Sequence, residues 1–291
     1  MNEYDVIVVG AGPAGLTSAI YLARANKKVL VLESKIYGGR IINASKIVNY
    51  PGIPITTGAD FANSLYKQVT DFGVEVKFET VVRVDEDKTV TTSENTYKAK
   101  AVILATGTSN KKLGIENEDK FLGKGLSYCA TCDGNFFKNK TVAVIGGGDT
   151  ALEDTIYLSN LCSKVYLICK EEIDKEEKDN IEYIFNSSVI KLNGEDKLTS
   201  IDIKDNNGTI TNILVDGVFV AIGQTPNSEI FRNVVDLDER GYFKKDQAPR
   251  TKTKGIYIAG DCVDKELRQL TTAVGDGSLA ATLAIKDMKG E

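Results

Sequence analysis

Two thiols and a carboxyl group stand together in the stretch Cys129-Ala130-Thr131-Cys132-Asp133-Gly134. Cysteines separated by two residues close a small disulfide ring. They also support thiol–disulfide exchange, in which a thiolate attacks one sulfur and the other sulfur leaves. The same spacing serves as half of a structural zinc site. Zinc needs two further ligands, yet the chain contains no histidine, and Cys162, Cys169 and Cys262 are single and widely spaced. Redox chemistry is the reading this inventory favours, with the other three cysteines expected as small buried side chains. Without an imidazole, Asp133 is the candidate proton donor and acceptor for a leaving thiolate, provided its surroundings raise its pKa. The same residue type also suits a helix N-cap, and the two roles are compatible.

A redox disulfide needs an electron source, and the elements around it offer two dinucleotide turns. The apolar run Tyr4 to Val9 reads as a buried strand, followed by Gly10-Ala11-Gly12-Pro13-Ala14-Gly15 and a helical stretch from Leu16 to Ala25. In this setting Gly10 allows the tight turn, Gly12 the approach of a pyrophosphate, and Gly15 close helix–strand packing. The helix N-terminus adds N–H donors and a positive dipole. The next strand, Lys28 to Leu32, ends at Glu33, placed to bind a ribose hydroxyl. This fingerprint alone does not separate FAD from NAD.

Later segments do. Gly38-Gly39-Arg40 and Asn49-Tyr50-Pro51-Gly52 are turns able to approach a ring system. Residues 101–108 read as a strand closing on a glycine turn. Residues 255–261 are a strand ending in Gly260-Asp261, before Arg268-Gln269 and a helix from about Ala273 to Met288. A second acid after a late strand suits a ribityl chain, and a helix N-terminus stabilises negative charge on a reduced flavin. In the middle of the chain the pattern recurs: strand Thr141 to Ile145, then Gly146-Gly147-Gly148-Asp149-Thr150-Ala151, a helix to Asn160, and strand Lys164 to Ile168.

In order along the chain, GAGPAG, NYPG, ATG, CATCDG, GGGDTA, IGQTPN and AGD…RQ resemble the low-molecular-weight thioredoxin reductase family of FAD-dependent disulfide reductases. The resemblance implies an α/β fold of two Rossmann-like, three-layer domains. An FAD-binding domain of 1–113 plus 243–291 would receive the second domain, 114–242, as an insert carrying the disulfide. It further implies FAD bound by Gly10, Gly12, Pro13, Ala14, Gly15, Glu33, Gly39, Arg40, Asn49, Ala105, Thr106, Gly107, Gly260, Asp261, Arg268, Gln269 and Leu270. It implies a homodimer, thioredoxin as the partner reduced, Cys132 as the sulfur nearest the flavin, and Cys129, Cys132 and Asp133 as the catalytic set. Spacing leaves open which thiol attacks thioredoxin.

The second fingerprint departs from the family pattern. Cys169 stands where Glu33 stands in the first, and the following Lys170-Glu171-Glu172-Ile173-Asp174 lacks the arginines that hold a 2′-phosphate. The acidic stretch from Glu171 to Asn180 leads quickly to the next strand, so the long nucleotide-contacting helix is expected to be cut short. This resembles the ferredoxin-dependent flavin thioredoxin reductases, with reduced ferredoxin (or flavodoxin) as donor and no nucleotide in the second domain. An NADPH- or NADH-dependent reductase is the alternative. A flavin-bound redox sensor without turnover is a third.

Composition adds bounds. A hydrophobic fraction of 42% and a charged fraction of 26% are those of an ordinary globular protein. No apolar run approaches the roughly 20 residues needed to span a bilayer. The early first strand leads us to expect no targeting segment, and five irregularly spaced cysteines fit a reducing, cytoplasmic setting. Neither a membrane nor nucleic acid is expected as partner. Residues 114–242 carry 13 Lys/Arg and 23 Asp/Glu, leaving 23 and 18 elsewhere. An acidic ferredoxin would therefore be steered to the first domain, near Lys111-Lys112, Lys244-Lys245 and Arg250-Lys252-Lys254.

Overall fold

The computed structural model describes residues 2–44, 46–174, 178–246 and 248–290. The chain forms two compact units, Met1–Ser109 with Thr225–Glu291, and Asn110–Gln224. The first stretch runs β1 (Asn2–Val9), α1 (Pro13–Arg24), β2 (Val29–Leu32), α2 (Gly58–Asp71), β3 (Glu75–Lys77), β4 (Val81–Val84), β5 (Thr89–Thr92), β6 (Thr96–Leu104) and β7 (Thr108–Asn110). The second unit contains α3 (Glu118–Phe121), β8 (Leu126–Ser127), α4 (Ala130–Asp133), β9 (Thr141–Ile145), α5 (Asp149–Ser159), β10 (Lys164–Ile168), β11 (Ile181–Ile184), β12 (Ser187–Asn193), β13 (Ser200–Asp205), β14 (Ile210–Leu214) and β15 (Gly217–Val220). The chain returns through β16 (Gln224–Pro226) to β17 (Ile256–Ile258) and α6 (Leu270–Lys289).

In the first unit β3, β2, β1, β6 and β17 pair in parallel, and β5 and β4 extend the sheet antiparallel from the first half of β6. Val6, Ile7, Val8 and Val9 are all buried because helices or loops cover both faces of a parallel sheet. Each such side chain contributes roughly 1.5–3 kcal/mol of burial. α6 packs on α1 through small residues. A Cβ at Gly277 would lie 2.2 Å from the Ala14 carbonyl oxygen, and Ser18 Oγ donates to Gly277 O at 3.0 Å. α6 begins at Leu270, earlier than the small-residue pattern suggests, because Gln269 and Thr272 form a reciprocal capping box.

The second unit has the all-parallel order β11-β10-β9-β15-β8, with an antiparallel meander β12-β13-β14. Both units are Rossmann-like α/β folds, the second inserted in the first. Between β10 and β11 the described residues form no helix; Lys175, Glu176 and Glu177, part of the expected shortened segment, lie outside the described residues.

The return to the first unit falls at Thr225, not at residue 243. Phe231, Val234 and Val235 are buried with Val84, Val90 and Phe243 in the first unit's core, and Asn233 Nδ2 donates to Val84 O. This shift weakens the charge segregation. Residues 110–224 carry 13 Lys/Arg and 19 Asp/Glu, and the rest carry 23 and 22. Several of the basic candidates are also paired: Arg250 with Asp287 at 2.8 Å, Lys252 with Asp236 at 2.8 Å, and Lys112 with Asp119 at 2.7 Å.

Candidate active site

The disulfide turn is built between β8 and α4. Cys129 precedes the single turn of α4 and Cys132 lies within it; the two are bonded, with Cα atoms 5.3 Å apart. Ala130 is buried in the core of the second unit with Ala151 and Leu158 of α5. A Cβ at Gly134 would meet Leu158 Cδ2 at 3.0 Å and Tyr157 Cε1 at 3.1 Å, so the closing glycine seats the turn on α5. Cys129 and Cys132 are half-buried.

Asp133 does not cap the following 3₁₀ turn: no side-chain capping hydrogen bond is made there among the described residues. Instead its Oδ2 accepts from Ser127 Oγ at 2.7 Å, while Oδ1 is buried without a partner among the described residues. Burial raises the Asp133 pKa above its ordinary value, and the Ser127 bond pulls the other way. Ser127 Oγ also accepts from Cys129 N at 3.0 Å and lies 3.3 Å from Cys129 O as a donor. The next residue, Tyr128, donates its hydroxyl to the buried Glu118, which accepts also from Leu113 N and Gly114 N. Burial, then this bond, pushes the phenol pKa well up. Residues 127 and 128 are therefore anchored on either side of the strand end that presents Cys129. Neither is legible in the sequence, since a serine and a tyrosine just before a cysteine carry no periodic signal.

The first fingerprint brings most of the candidate cofactor residues together. Gly10 has φ +105°, and a Cβ there would lie 2.4 Å from Ala105 O. Gly12 is the N-cap of α1, without a side-chain cap, and the nearest atom to a Cβ built there is Gly39 Cα at 4.0 Å. Pro13 opens the helix and Gly38 N donates to Ala11 O at 2.7 Å, so the Gly38-Gly39 turn is tied to the fingerprint. Glu33 Oε2 accepts from Ala11 N at 2.9 Å and Oε1 from Lys35 N at 3.0 Å, which fixes the carboxylate beside the helix entry. Such a carboxylate keeps lone pairs for ribose hydroxyls.

Asp261 closes the other side. Its Oδ1 is buried without a partner among the described residues. Burial raises its pKa, opposed by Lys265, Arg40 and Arg268. Arg40 donates to Thr108 Oγ1 at 2.9 Å, and its pKa is lowered by burial. Arg268 Nε donates to Asp261 O at 3.2 Å, and its guanidinium stacks 4.2 Å above the Tyr242 ring. Asn49 Nδ2 donates to Gln269 Oε1 at 3.3 Å, next to Leu270, the first residue of α6.

Two further residues hold this frame. Asn227 donates from Nδ2 to Thr106 O at 2.9 Å and from its backbone N to Gly107 O at 3.0 Å. Asp276 accepts from Gly260 N at 3.0 Å and pairs with Lys265. The open glycine turn, the fixed Glu33 and the orphaned Asp261 oxygen together fit a dinucleotide carrying a polyol.

The second fingerprint has the same turn and a different neighbour. A Cβ at Gly147, the counterpart of Ala11, would lie 3.3 Å from Cys169 Cβ and 3.9 Å from Ile173 Cγ2. Cys169 thus occupies the position of Glu33 in space as well as in sequence. It is 4% exposed and burial raises its thiol pKa, so it offers no charge. Ile173 packs against the core of the second unit. At Gly148 nothing among the described residues lies within 4 Å of a built Cβ. Cys162 and Cys262 are buried free thiols like Cys169, raised by burial to about 11 each. Among the described residues no cluster of three potential metal ligands is present, and no helix is long and apolar enough to cross a membrane.

Residues 4–277 match the pyridine nucleotide-disulphide oxidoreductase family. The chain belongs to that family. It is 39% identical to the thioredoxin reductase of Listeria innocua serovar 6a, over 97% of this chain and 93% of that protein. The crystal structure of thioredoxin reductase from Streptococcus pyogenes MGAS5005 matches with a TM-score of 0.94 at 33% identity, over 99% of each chain. A ferredoxin-flavin thioredoxin reductase from Clostridium acetobutylicum matches at 30% identity over the full length of both chains, with a TM-score of 0.55.

Proposed function

We propose that this flavoprotein disulfide reductase uses FAD and the Cys129–Cys132 disulfide to reduce thioredoxin, and that its electrons come from reduced ferredoxin (or flavodoxin). FAD is the cofactor of the family branch, and the first unit has the donors and acceptors to hold it. Gly10, Gly12, Pro13, Ala14 and Gly15 form the pyrophosphate turn, Glu33 takes the adenosine ribose, and Asp261 the ribityl chain. Gly39, Arg40, Asn49, Ala105, Thr106, Gly107, Gly260, Arg268, Gln269 and Leu270 complete the binding frame. FAD, when bound, supplies a carrier that accepts electrons singly and delivers them in pairs.

The rest is done by the chain's own groups. When two electrons enter, the Cys129–Cys132 bond breaks to one thiolate and one thiol, the proton coming from Asp133. The thiolate attacks the disulfide of thioredoxin, forming a mixed disulfide and releasing a thioredoxin thiolate, which takes up a proton from water. Asp133 then removes the proton of the second enzyme thiol. That sulfur re-forms Cys129–Cys132 and expels reduced thioredoxin.

The observation that carries the ferredoxin assignment is the neutral, apolar pair Cys169 and Ile173 against Gly147, where a nicotinamide dinucleotide would look for a carboxylate. The adjoining Glu171, Glu172 and Asp174 would repel a 2′-phosphate. The open approach at Gly148 and the similarity to thioredoxin reductases favour a second reading, an NADPH- or NADH-dependent enzyme. Steady-state reduction of thioredoxin, driven in turn by reduced ferredoxin, NADPH and NADH, tests the two. Turnover with ferredoxin alone supports the first reading; turnover with a nucleotide at matching rate supports the second. Homodimer formation and a cytoplasmic location belong to the same proposal.

A further inference from the structure

Ser127 lies at the end of β8 and is 5% exposed. Its hydroxyl holds both halves of the chemistry at once: it donates to Asp133 Oδ2 at 2.7 Å and accepts from Cys129 N at 3.0 Å. A hydroxyl has one proton to give and two lone pairs to receive with. While that proton is shared with Oδ2 in the hydrogen bond, the other carboxyl oxygen, Oδ1, is the one left buried and unpaired among the described residues. A buried polar atom without a partner is costly, so an orphan at a redox centre calls for a functional account.

We propose that Ser127 is a positioning residue that occupies Asp133 Oδ2 and thereby makes Oδ1 the oxygen that carries the transferred proton. The inference rests on the reading of Asp133 as proton donor and acceptor. In the reductive step the two electrons that enter from the donor break the S–S bond, one sulfur leaves as thiolate, and the other receives the proton from Oδ1. In the return step Oδ1 takes that proton back as the second sulfur re-forms the disulfide. Ser127 keeps its own proton throughout. Through Cys129 N it also fixes the backbone of the first cysteine, so acid and sulfur move as one frame.

The surroundings leave the carboxyl to these two influences. The packed helix α5 carries Asp149, Glu153 and Asp154, and Lys138 follows the adjoining 3₁₀ turn. None of these acts on Asp133, whose pKa is set by burial and by the Ser127 bond. The bond favours the ionised form, so its removal moves the Asp133 titration further up.

The test uses the FAD-loaded full chain in Ser127→Ala, Ser127→Thr, Asp133→Asn and the Ser127→Ala/Asp133→Asn double variant. Thioredoxin reduction is followed from pH 5 to 10 with whichever donor supports turnover. Asp133→Asn should lower kcat by about 10²–10⁴-fold, the range for a lost general acid or base. Ser127→Ala should lower kcat by roughly 10–100-fold with KM for thioredoxin unchanged, and shift the Asp133-dependent limb to higher pH. Ser127→Thr should restore both. The double variant should fall within a few-fold of Asp133→Asn alone, since Ser127 acts chiefly through that carboxyl and only secondarily through Cys129 N.

Full activity in Asp133→Asn would end the reading of Asp133 itself. An impaired Asp133→Asn combined with a wild-type pH profile in Ser127→Ala, or with losses that multiply in the double variant, would overturn the role of Ser127 alone. If Ser127→Ala fails to fold or to retain FAD, Ser127→Cys, close in volume and a much weaker hydrogen-bond donor, carries the same comparison.

Discussion

The two glycine turns share a backbone and differ at the end of the strand that follows each. In the first unit Glu33 reaches back to the Ala11 N–H and presents a charged acceptor. In the second, Cys169 takes that place against Gly147 as a buried, uncharged thiol with Ile173 beside it. The first unit also holds Asp261, which keeps a buried oxygen unpaired among the described residues. The second unit also holds the Cys129–Cys132 disulfide with Asp133 beside it, where the proposed function places its chemistry. A Rossmann frame specifies where a ligand would go, and under the proposed function the residue at the end of its second strand sets the two turns apart.

The largest test of this division removes the disulfide. Cys129→Ser and Cys132→Ser should each reduce thioredoxin turnover to background while leaving reduction of the flavin by its donor intact. Measured together, the two rates separate the units. Loss of flavin reduction in the same variants would show that the second unit contributes more than its cysteines.

Next in size is the acid of the first turn. Glu33→Ala should weaken FAD about 10–150-fold, the worth of a charge-assisted hydrogen bond of roughly 1.5–3 kcal/mol. Equilibrium dialysis of the apoprotein against FAD measures it, and an unchanged affinity would move the ribose contact to another residue.

A smaller effect concerns stability. Asp154 on α5 titrates at about 6, raised from 3.8 by burial and then by Glu153. The folded form therefore holds this proton more tightly than the unfolded chain does. Its contribution is complete below about pH 4 and is lost as pH rises through 6. Asp154→Asn should remove that loss and stabilise the protein at pH 7.5 by about 1 kcal/mol, after discounting for solvent screening. Thermal melts of both proteins at pH 4.5 and 7.5 check it; equal pH dependence would place the carboxyl in a more solvated setting.

The smallest expected effect falls on the second turn. Cys169→Ala should leave flavin reduction and thioredoxin turnover within about twofold, because the thiol holds no ligand, and should cost about 1 kcal/mol of packing. A tenfold loss of donor rate would mean that the second turn binds something after all.

Much of this division is legible in the sequence because it rests on spacing. The strand–glycine–helix pattern, Glu33 at the end of β2, Cys169 at the matching point and the Cys129–Cys132 pair are all local signals. The return of the chain at Thr225 was not legible, since Phe231, Val234 and Val235 reveal their core only through the strands they cover. That misplacement exaggerated the charge contrast behind the expected docking surface, and pairs such as Arg250–Asp287 reduce it further. Asn227, Asp276 and Ser127 escaped for a related reason. Each acts across a large separation or through backbone atoms, on Thr106 and Gly107, on Gly260, and on Cys129 and Asp133.

The central claim is that electrons do not enter through the second turn. Anaerobic stopped-flow mixing of the FAD-loaded protein with reduced ferredoxin, NADPH or NADH, watching the flavin band, addresses it directly. The account predicts bleaching by ferredoxin at rates that sustain turnover and negligible bleaching by either nucleotide at physiological concentration. Rapid bleaching by NADPH or NADH would contradict it.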